Sequence, residues 1–267
     1  TTDGQVTYNG RLTSFDPSGF TVGNVSTGGV GTNENAIPFV VWSWNAGGSK
    51  GTFNIDDVGY ASAAAAGLDG GLTVTGASVG TKQGFSIIKA TGSNSQNSFK
   101  HGLGKVPKFV IAKDIDNSRA WYIYHGSLGA NYRASFDTTE FTSDSGYFGS
   151  GMTDTLVTLK SGGSGGNNYN GANMIYYVWC DVPGLQKFGS YTGNNDSDAA
   201  DGPFVELGFR PSLLWIKRLG TGNWIVYDNK RDTINPLDGR LKLNTDGSNV
   251  DNSGYNLDFL SNGFKII

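Results

Sequence analysis

Two histidines, His101 and His125, are the only imidazoles among 267 residues, so acid–base or zinc chemistry would have to start from them. A hydrolase needs a second titratable group within hydrogen-bond reach of such a ring, and a zinc site needs three or four nitrogen or sulfur ligands. Neither motif surrounds them. Asn194-Asn-Asp196-Ser-Asp198-Ala-Ala-Asp201-Gly202 suggests different chemistry, because alternating carboxylates can chelate Ca2+ through hard oxygen donors. It lacks the glycine spacing and closing glutamate of an EF-hand loop, and a solvated loop between strands is the simpler reading. Asp196, Asp198 and Asp201 stand as metal candidates, with no metal or cofactor assigned. Gly102-Leu-Gly104 is no phosphate loop, because no Lys-Ser/Thr and no helix follow it. The single cysteine, Cys180, excludes an intrachain disulfide and reads as a small apolar filler in the strand-like run Ile175-Tyr-Tyr-Val-Trp-Cys180.

Aromatic residues are the remaining candidates, since exposed Trp and Tyr faces stack on sugars. In Trp121-Tyr-Ile-Tyr124 and Trp224-Ile-Val-Tyr227 the tryptophan shares a face with an aliphatic residue, the pattern of a core or a subunit interface. Tyr122 and Tyr124 fall on the opposite face, where a partner or a glycan could meet them.

The elements carrying these residues occur twice. Phe85-Ser-Ile-Ile-Lys, His101-Gly-Leu-Gly-Lys-Val-Pro107, Phe109-Val-Ile-Ala-Lys113 and Trp121-Tyr-Ile-Tyr-His125 are followed by a second series. That series is Phe188-Gly-Ser-Tyr-Thr-Gly193, Phe204-Val-Glu-Leu-Gly-Phe-Arg-Pro211, Leu213-Leu-Trp-Ile-Lys217 and Trp224-Ile-Val-Tyr-Asp228. A period of about one hundred residues suits a small β-domain. With the copies laid together, His101 falls opposite Val205 and His125 opposite Asp228, so neither histidine recurs.

The repeat divides the chain. Residues 1–47 read as the C-terminal part of a β unit: strand, Asp16-Pro-Ser-Gly19 turn, strand, then Phe39-Val-Val-Trp-Ser-Trp44 as a strand apolar on both faces. Residues 48–82 read as an inserted glycine-rich linker with one short helix at Ala61-Ser-Ala-Ala-Ala-Ala66. Residues 83–185 form a complete sandwich unit, in which 161–171, almost all Gly, Ser and Asn, is a loop that cannot bury itself. Residues 186–267 start the unit again. Leu257-Asp-Phe-Leu-Ser-Asn-Gly-Phe-Lys-Ile266 matches Leu12 to Val22, and Phe39 to Trp44 matches Met174 to Trp179, so the second unit lacks its last strand. An open strand edge would remain there. A longer chain, a neighbouring subunit or residues 1–47 of the same chain could close it.

Composition narrows the class. A net charge of −3, a pI near 5.3 and no basic run give no reason to expect nucleic acid. The 41 glycines without collagen periodicity suit many tight turns. No apolar run approaches the roughly 20 residues of a membrane helix. The chain has no signal peptide and begins without Met, which fits a start inside a longer polypeptide or after processing.

Several phrases together resemble a repeat family of tail-fibre-like and other virion-surface proteins of tailed bacteriophages, especially those infecting marine bacteria and cyanobacteria. They are Phe188-Gly-Ser-Tyr-Thr-Gly-Asn194, His101-Gly-Leu-Gly-x-x-Pro107, the strands ending in Lys113 and Lys217, Trp-x-x-Tyr-His/Asp, and Phe259-Leu-Ser-Asn-Gly-Phe264. Trp44-Asn-Ala-Gly-Gly48 and Asn54 to Ala63 add to them. The resemblance implies a virion context and a lectin-like sandwich, and it carries over no active-site residue. Relatives of this kind continue past the final Gly-Phe-Lys into a Tyr-rich strand, which implies an incomplete or processed copy here. The expectation is an all-β protein of tandem jelly-roll or lectin-like β-sandwich units. Its expected role is a non-enzymatic structural part of the virion surface, as tail fibre, spike segment or head decoration, with a role in host attachment. Other virion proteins, a homo-oligomer (a trimer foremost) and a host-surface glycan are the expected partners, with no membrane insertion. A bacterial carbohydrate-binding adhesin is the first alternative. A polysaccharide depolymerase is the second, but it needs an acid pair about 5–9.5 Å apart that the sequence does not offer.

Overall fold

The computed structural model describes residues 3, 5, 11–16, 18–23, 32–33, 35–139, 141–142, 147–160, 167–194, 201–245, 250–251 and 256–267. Among them all regular structure is β-strand, arranged in several sheets. Contacts divide the chain into a small unit, Gln5–Ser43, and a large one, Thr1–Gly4 with Trp44–Ile267.

In the small unit β1 (Leu12–Asp16) and β2 (Gly19–Val22) form an antiparallel hairpin with Phe15 opposite Phe20. The Asp16 carboxylate ties it by accepting from the hydroxyls of Ser14 (2.9 Å) and Thr21 (2.7 Å). Its apolar side chains stay in solvent, with Phe15 80% exposed. The strand expected over 39–44 is absent: 37–46 carry no strand, and Phe39 and Val41 are 49% and 57% exposed. Apolar character does not make a strand without a neighbour to take its backbone hydrogen bonds.

The large unit opens with β3 (Phe53–Ile55), β4 (Val58–Tyr60) and β5 (Thr73–Gly80). These correct the linker reading of 48–82, since all three join the same sheet as the strands that follow. Val74, Ala77 and Val79 enter its core, and the register shift between Val74 and Gly76 puts the glycine at a bulge, not in a flexible tether. The expected helix at 61–66 is a set of turns, closed by Ala66 N–H to Ser62 C=O (3.1 Å) and Leu68 N–H to Ala63 C=O (2.8 Å). Six residues cannot offset the cost of nucleating a helix.

The chain continues through β6 (Phe85–Thr91), β7 (Asn97–Lys100), β8 (Phe109–Asp114), β9 (Tyr122–His125) and β10 (Arg133–Ser135). Next come β11 (Phe141–Thr142), β12 (Leu156–Leu159) and β13 (Asn173–Trp179). Nine strands make one sheet in the order β11-β10-β9-β8-β13-β6-β5-β3-β4, with β13 antiparallel to both β6 and β8. Alternation gives this sheet two apolar faces. Ile88, Ala90, Val110, Ala112, Met174, Tyr176 and Val178 face the β7–β12 pair, where Phe99, Val157 and Leu159 complete a core. Phe85, Phe109, Ile111, Ile123 and Trp179 face the other way, and every residue of β8 is buried.

The C-terminal part has β14 (Phe204–Glu206), β15 (Leu213–Lys217), β16 (Trp224–Asp228), β17 (Gly239–Lys242), β18 (Val250–Asp251), β19 (Leu257–Leu260) and β20 (Gly263–Ile266). A four-stranded sheet, β15-β16-β17-β18, and a three-stranded one, β14-β20-β19, enclose a core of Tyr227, Leu237, Leu257, Phe259 and Phe264. Trp215 and Trp224 point away from that core into a seam against Phe85, Phe109, Phe136 and Trp179 of the nine-stranded sheet and its loops.

The duplication is a duplication of register. Phe109 pairs with His125 and Ile111 with Ile123; at the matching positions Leu213 pairs with Asp228 and Trp215 with Val226. The strand before each turn is likewise in an antiparallel pair, β7 with β12 and β14 with β20. The hairpin β1–β2 repeats β19–β20, Phe15–Phe20 standing for Phe259–Phe264. Not every element recurs: residues 188–193, matching the start of β6, form no strand. β6 is held by β13 and β5, and the described residues of the second copy contain no strand in either position.

Candidate functional site: the repeated turn, the aromatic seam and the β15 edge

The repeated phrases can be explained residue by residue. Gly104 (φ 65°) and Gly208 (φ 81°) both adopt left-handed backbone in the turn before Pro107 and Pro211, which aims Leu103 and Leu207 into their respective cores. The strand after each turn carries a lysine, next to last in β8 and last in β15, whose ammonium caps the next loop. Lys113 Nζ donates to the carbonyls of Asp114 (2.8 Å) and Asn117 (3.2 Å). Lys217 Nζ donates to those of Arg218 (2.6 Å), Gly220 (3.0 Å) and Thr139 (3.0 Å). The stem of Lys113 is buried, and burial holds its pKa below the usual lysine value. Both lysines satisfy loop carbonyls.

Two carboxylates hold neighbouring loops in a related way. Asp114, fully buried, accepts from the backbone N–H of Asp116 (2.9 Å) and Asn117 (3.1 Å) and from Arg119 Nε (2.9 Å). Asp228 accepts from the N–H of Lys230 (3.1 Å) and Arg231 (3.0 Å) and from Arg231 Nε (2.7 Å). Burial raises the pKa of Asp228, but the Arg231 side chain and backbone bonds outweigh it and leave the group below the ordinary carboxylate value. The legible signal was an Asp closing a strand with an Arg a few residues on, and neither pair was read from the sequence.

Of the sequence candidates, Tyr122 and Tyr124 are corrected in position: both turn into the sandwich core. Tyr122 packs on Tyr147 with ring centroids 4.2 Å apart and Tyr124 on Phe148 at 5.8 Å, and burial pushes the Tyr122 hydroxyl up to about 12. Asp201 is exposed, while Asp196 and Asp198 lie outside the described residues. Among the described residues no three His, Cys, Asp or Glu groups converge as for a metal ion. His101 is buried in the turn, where Nε2 meets the Thr153 carbonyl (3.3 Å) and Nδ1 accepts from Leu103 N–H (3.2 Å). His125 is half-buried against Phe109. Cys180 is buried with its Sγ toward the Gly84 carbonyl (3.6 Å), and burial raises its pKa, as befits a packing thiol.

The end of the loop read as unable to bury itself does the opposite. Asn167 and Asn168 are buried: Asn168 Nδ2 donates to the Ser95 carbonyl (2.7 Å), Asn167 Nδ2 to that of Tyr147 (2.8 Å), and Tyr176 OH to that of Asn167 (2.8 Å). Residues 161–166 of that loop lie outside the described residues.

The seam gathers the densest aromatic packing. Phe109 stacks on Phe188 (5.5 Å, 10° between planes) and Phe85 on Trp179 (4.6 Å), while Trp44 meets Trp179 (6.1 Å) and Trp215 (5.5 Å) edge-on. Trp224 is 4% exposed and donates its indole N–H to the Ser135 carbonyl (3.1 Å). Its counterpart Trp121 is half-buried at the rim.

At the margin of this seam β15 is an edge. It pairs with β16 on one side, and among the described residues no strand pairs with the other. In the first copy the equivalent side of β8 is filled along its length by β13.

Matched against protein families, the whole chain, residues 1–267, fits one described as "Domain of unknown function (DUF7483)". The protein belongs to that family. No curated protein and no solved structure matches the chain. In this DUF7483 member the described geometry offers left-handed glycine turns, packed aromatic faces and the edge strand β15, and Lys113, Lys217, Asp114 and Asp228 hold loops.

Proposed function

We propose that the protein is a structural part of the surface of a tailed phage particle, built from tandem jelly-roll-like sandwich units and acting through assembly and attachment, not through catalysis. The observation that carries this reading is the duplication. The same strand register occurs twice, and the two copies are stacked through an aromatic seam, as suits a rod or a shell ornament that must carry load. The phrases that resemble phage fibre proteins are the residues that build the repeated turns and strands, which supports the reading further. Its partners on this reading are further copies of itself and other virion proteins, and a host glycan would be met outside the core positions of Tyr122 and Tyr124.

The test is direct. Gold-labelled antibody raised against the purified protein is applied to particles of the phage that encodes it and imaged by electron microscopy. Regular labelling of the tail or head exterior is expected. Particles that bind no label, with the protein recovered instead from infected-cell lysate, would overturn the proposal.

A further inference from the structure

Residues 44–46 belong to the large unit but make no backbone hydrogen bond to any described residue. Trp44 nevertheless sits edge-on against two rings at once, Trp179 of the first copy (6.1 Å) and Trp215 of the second (5.5 Å). Ala46 packs on the same aromatic cluster, and its carbonyl lies where a side chain on Gly80 would stand. Trp44 is 37% exposed, and ordering such a ring on an unpaired backbone needs a fixed point nearby.

The next two residues supply it. Gly47, buried, donates its N–H to Ser78 Oγ (3.0 Å), and its carbonyl accepts from Asp57 N–H (2.6 Å). Ser78 Oγ in turn donates to the Gly48 carbonyl (3.2 Å). Asn54, 3% exposed, stands opposite Ser78 in the parallel β3–β5 pair. With its Nδ2 facing them, Asn54 donates to the carbonyls of Gly47 (2.9 Å) and Gly48 (3.1 Å). Only glycine fits here. A Cβ on Gly47 would strike the backbone of Val79, and Gly48 is left-handed (φ 95°), where a Cβ would meet the Asp57 carboxylate. A buried amide and a hydroxyl thus clasp two peptide units that lie outside the strand ladders.

The clasp rests on β3 and β5, but its consequence lies at the seam. Edge-to-face ring contacts depend on geometry, so they last only while each ring is held in place. Trp179 is held by β13 and Trp215 by β15, whereas Trp44 has the clasp as its backbone anchor.

We infer that residues 44–48 are a strap, latched to β3 and β5 through Asn54 and Ser78, that wedges Trp44 between the two copies and fixes the second on the first. The inference concerns the two copies within the large unit and is independent of a virion location.

The full chain is spin-labelled at two exposed positions, Lys89→Cys in the first copy and Thr233→Cys in the second, while the buried Cys180 stays unlabelled. Pulsed electron paramagnetic resonance then gives the distribution of label–label distances. A narrow distribution is expected. Trp44→Ala should broaden it, and Trp44→Phe, which keeps a ring edge, should broaden it less. Ser78→Ala should broaden it too and speed amide exchange at Gly47 by about tenfold or more. Because the strap acts through Trp44, the Trp44→Ala/Ser78→Ala double variant should broaden it no further than Trp44→Ala. The inference fails if the parent distribution is already broad, or if Trp44→Ala leaves it unchanged. It fails equally if Ser78→Ala leaves Gly47 exchange as it was, if it frees Gly47 without broadening the distribution, or if the two substitutions add.

Discussion

β8 and β15 begin alike. Each follows a left-handed glycine and a proline, each carries a loop-capping lysine at or next to its end, and each pairs with its hairpin partner in the same register. On the other side they part. β13 lies along the whole of β8 and buries it, while among the described residues no strand lies along that side of β15, which stays half exposed. The same contrast separates the hairpins: Phe259 and Phe264 are 0% and 3% exposed, whereas Phe15 and Phe20, in the same register, are 80% and 39% exposed. A strand's burial is thus a property of its neighbours. Two nearly interchangeable sequences reach different states because one has a partner and the other does not.

The strongest way to test that comparison is at the seam. Trp224→Ala removes a buried ring and leaves the Ser135 carbonyl without its donor, and should cost about 3–5 kcal/mol in denaturant unfolding. Trp121→Ala, at the half-buried counterpart, should cost clearly less. Equal losses would show that the seam does not distinguish the copies.

The capping lysines come next. Lys113→Met strands loop carbonyls beside a buried stem and should cost about 1–3 kcal/mol by thermal or chemical unfolding. Lys217→Met should lie at or below the lower end of that range, since its loop is open to water that can replace the ammonium. A larger loss at Lys217 would reverse the ranking of the copies.

The turn glycines should show no contrast. Gly104→Ala and Gly208→Ala each place a Cβ in open space but on left-handed backbone, so each should cost about 1–2 kcal/mol, and by the same amount. Different losses would mean that the two turns are not the same device.

The smallest expected effect is one of pH. Burial is the main cause that lowers the pKa of both His101 and His125 below 6.5 in the folded protein. Below 6.5 the unfolded chain therefore binds more protons than the folded one. Stability from the neutral rings is complete above pH 6.5 and is lost as pH falls through the lowered values. His101→Gln should flatten the acid limb of a plot of stability against pH, and an unchanged slope would refute the assignment. His101 belongs to the complete copy, with Val205 in its place in the other, so this sensitivity should reside there.

Much of the fold was legible because its signals are local. Alternation in Phe109 to Lys113 and Trp121 to His125 marked the strands, the glycine and proline spacing marked the turn, and the constancy of both marked the duplication. The candidate site was legible only in outline. Counting elements gave the expectation that the second copy lacks its last strand, while the two tyrosines, assigned to an outer face, pack on a core, Tyr122 buried and Tyr124 half-buried. Period-two alternation divides a strand into two faces without saying which face is covered, and here both faces of the nine-stranded sheet are covered.

By itself, then, the sequence determined the turn chemistry and the strands at 109–113, 121–125, 213–217 and 224–228, whose signals act over a few residues or recur at matched positions. Tertiary structure decided what pairs with what. It recruited the glycine-rich stretch 48–82 into the sheet because β5 could lie along β6, buried Asn167 and Asn168 because carbonyls awaited them, and left 61–66 as turns and 39–44 without a strand. The reason is that a backbone hydrogen bond in a sheet, unlike one in a helix, needs a partner remote in sequence. Composition alone cannot say whether that partner is there.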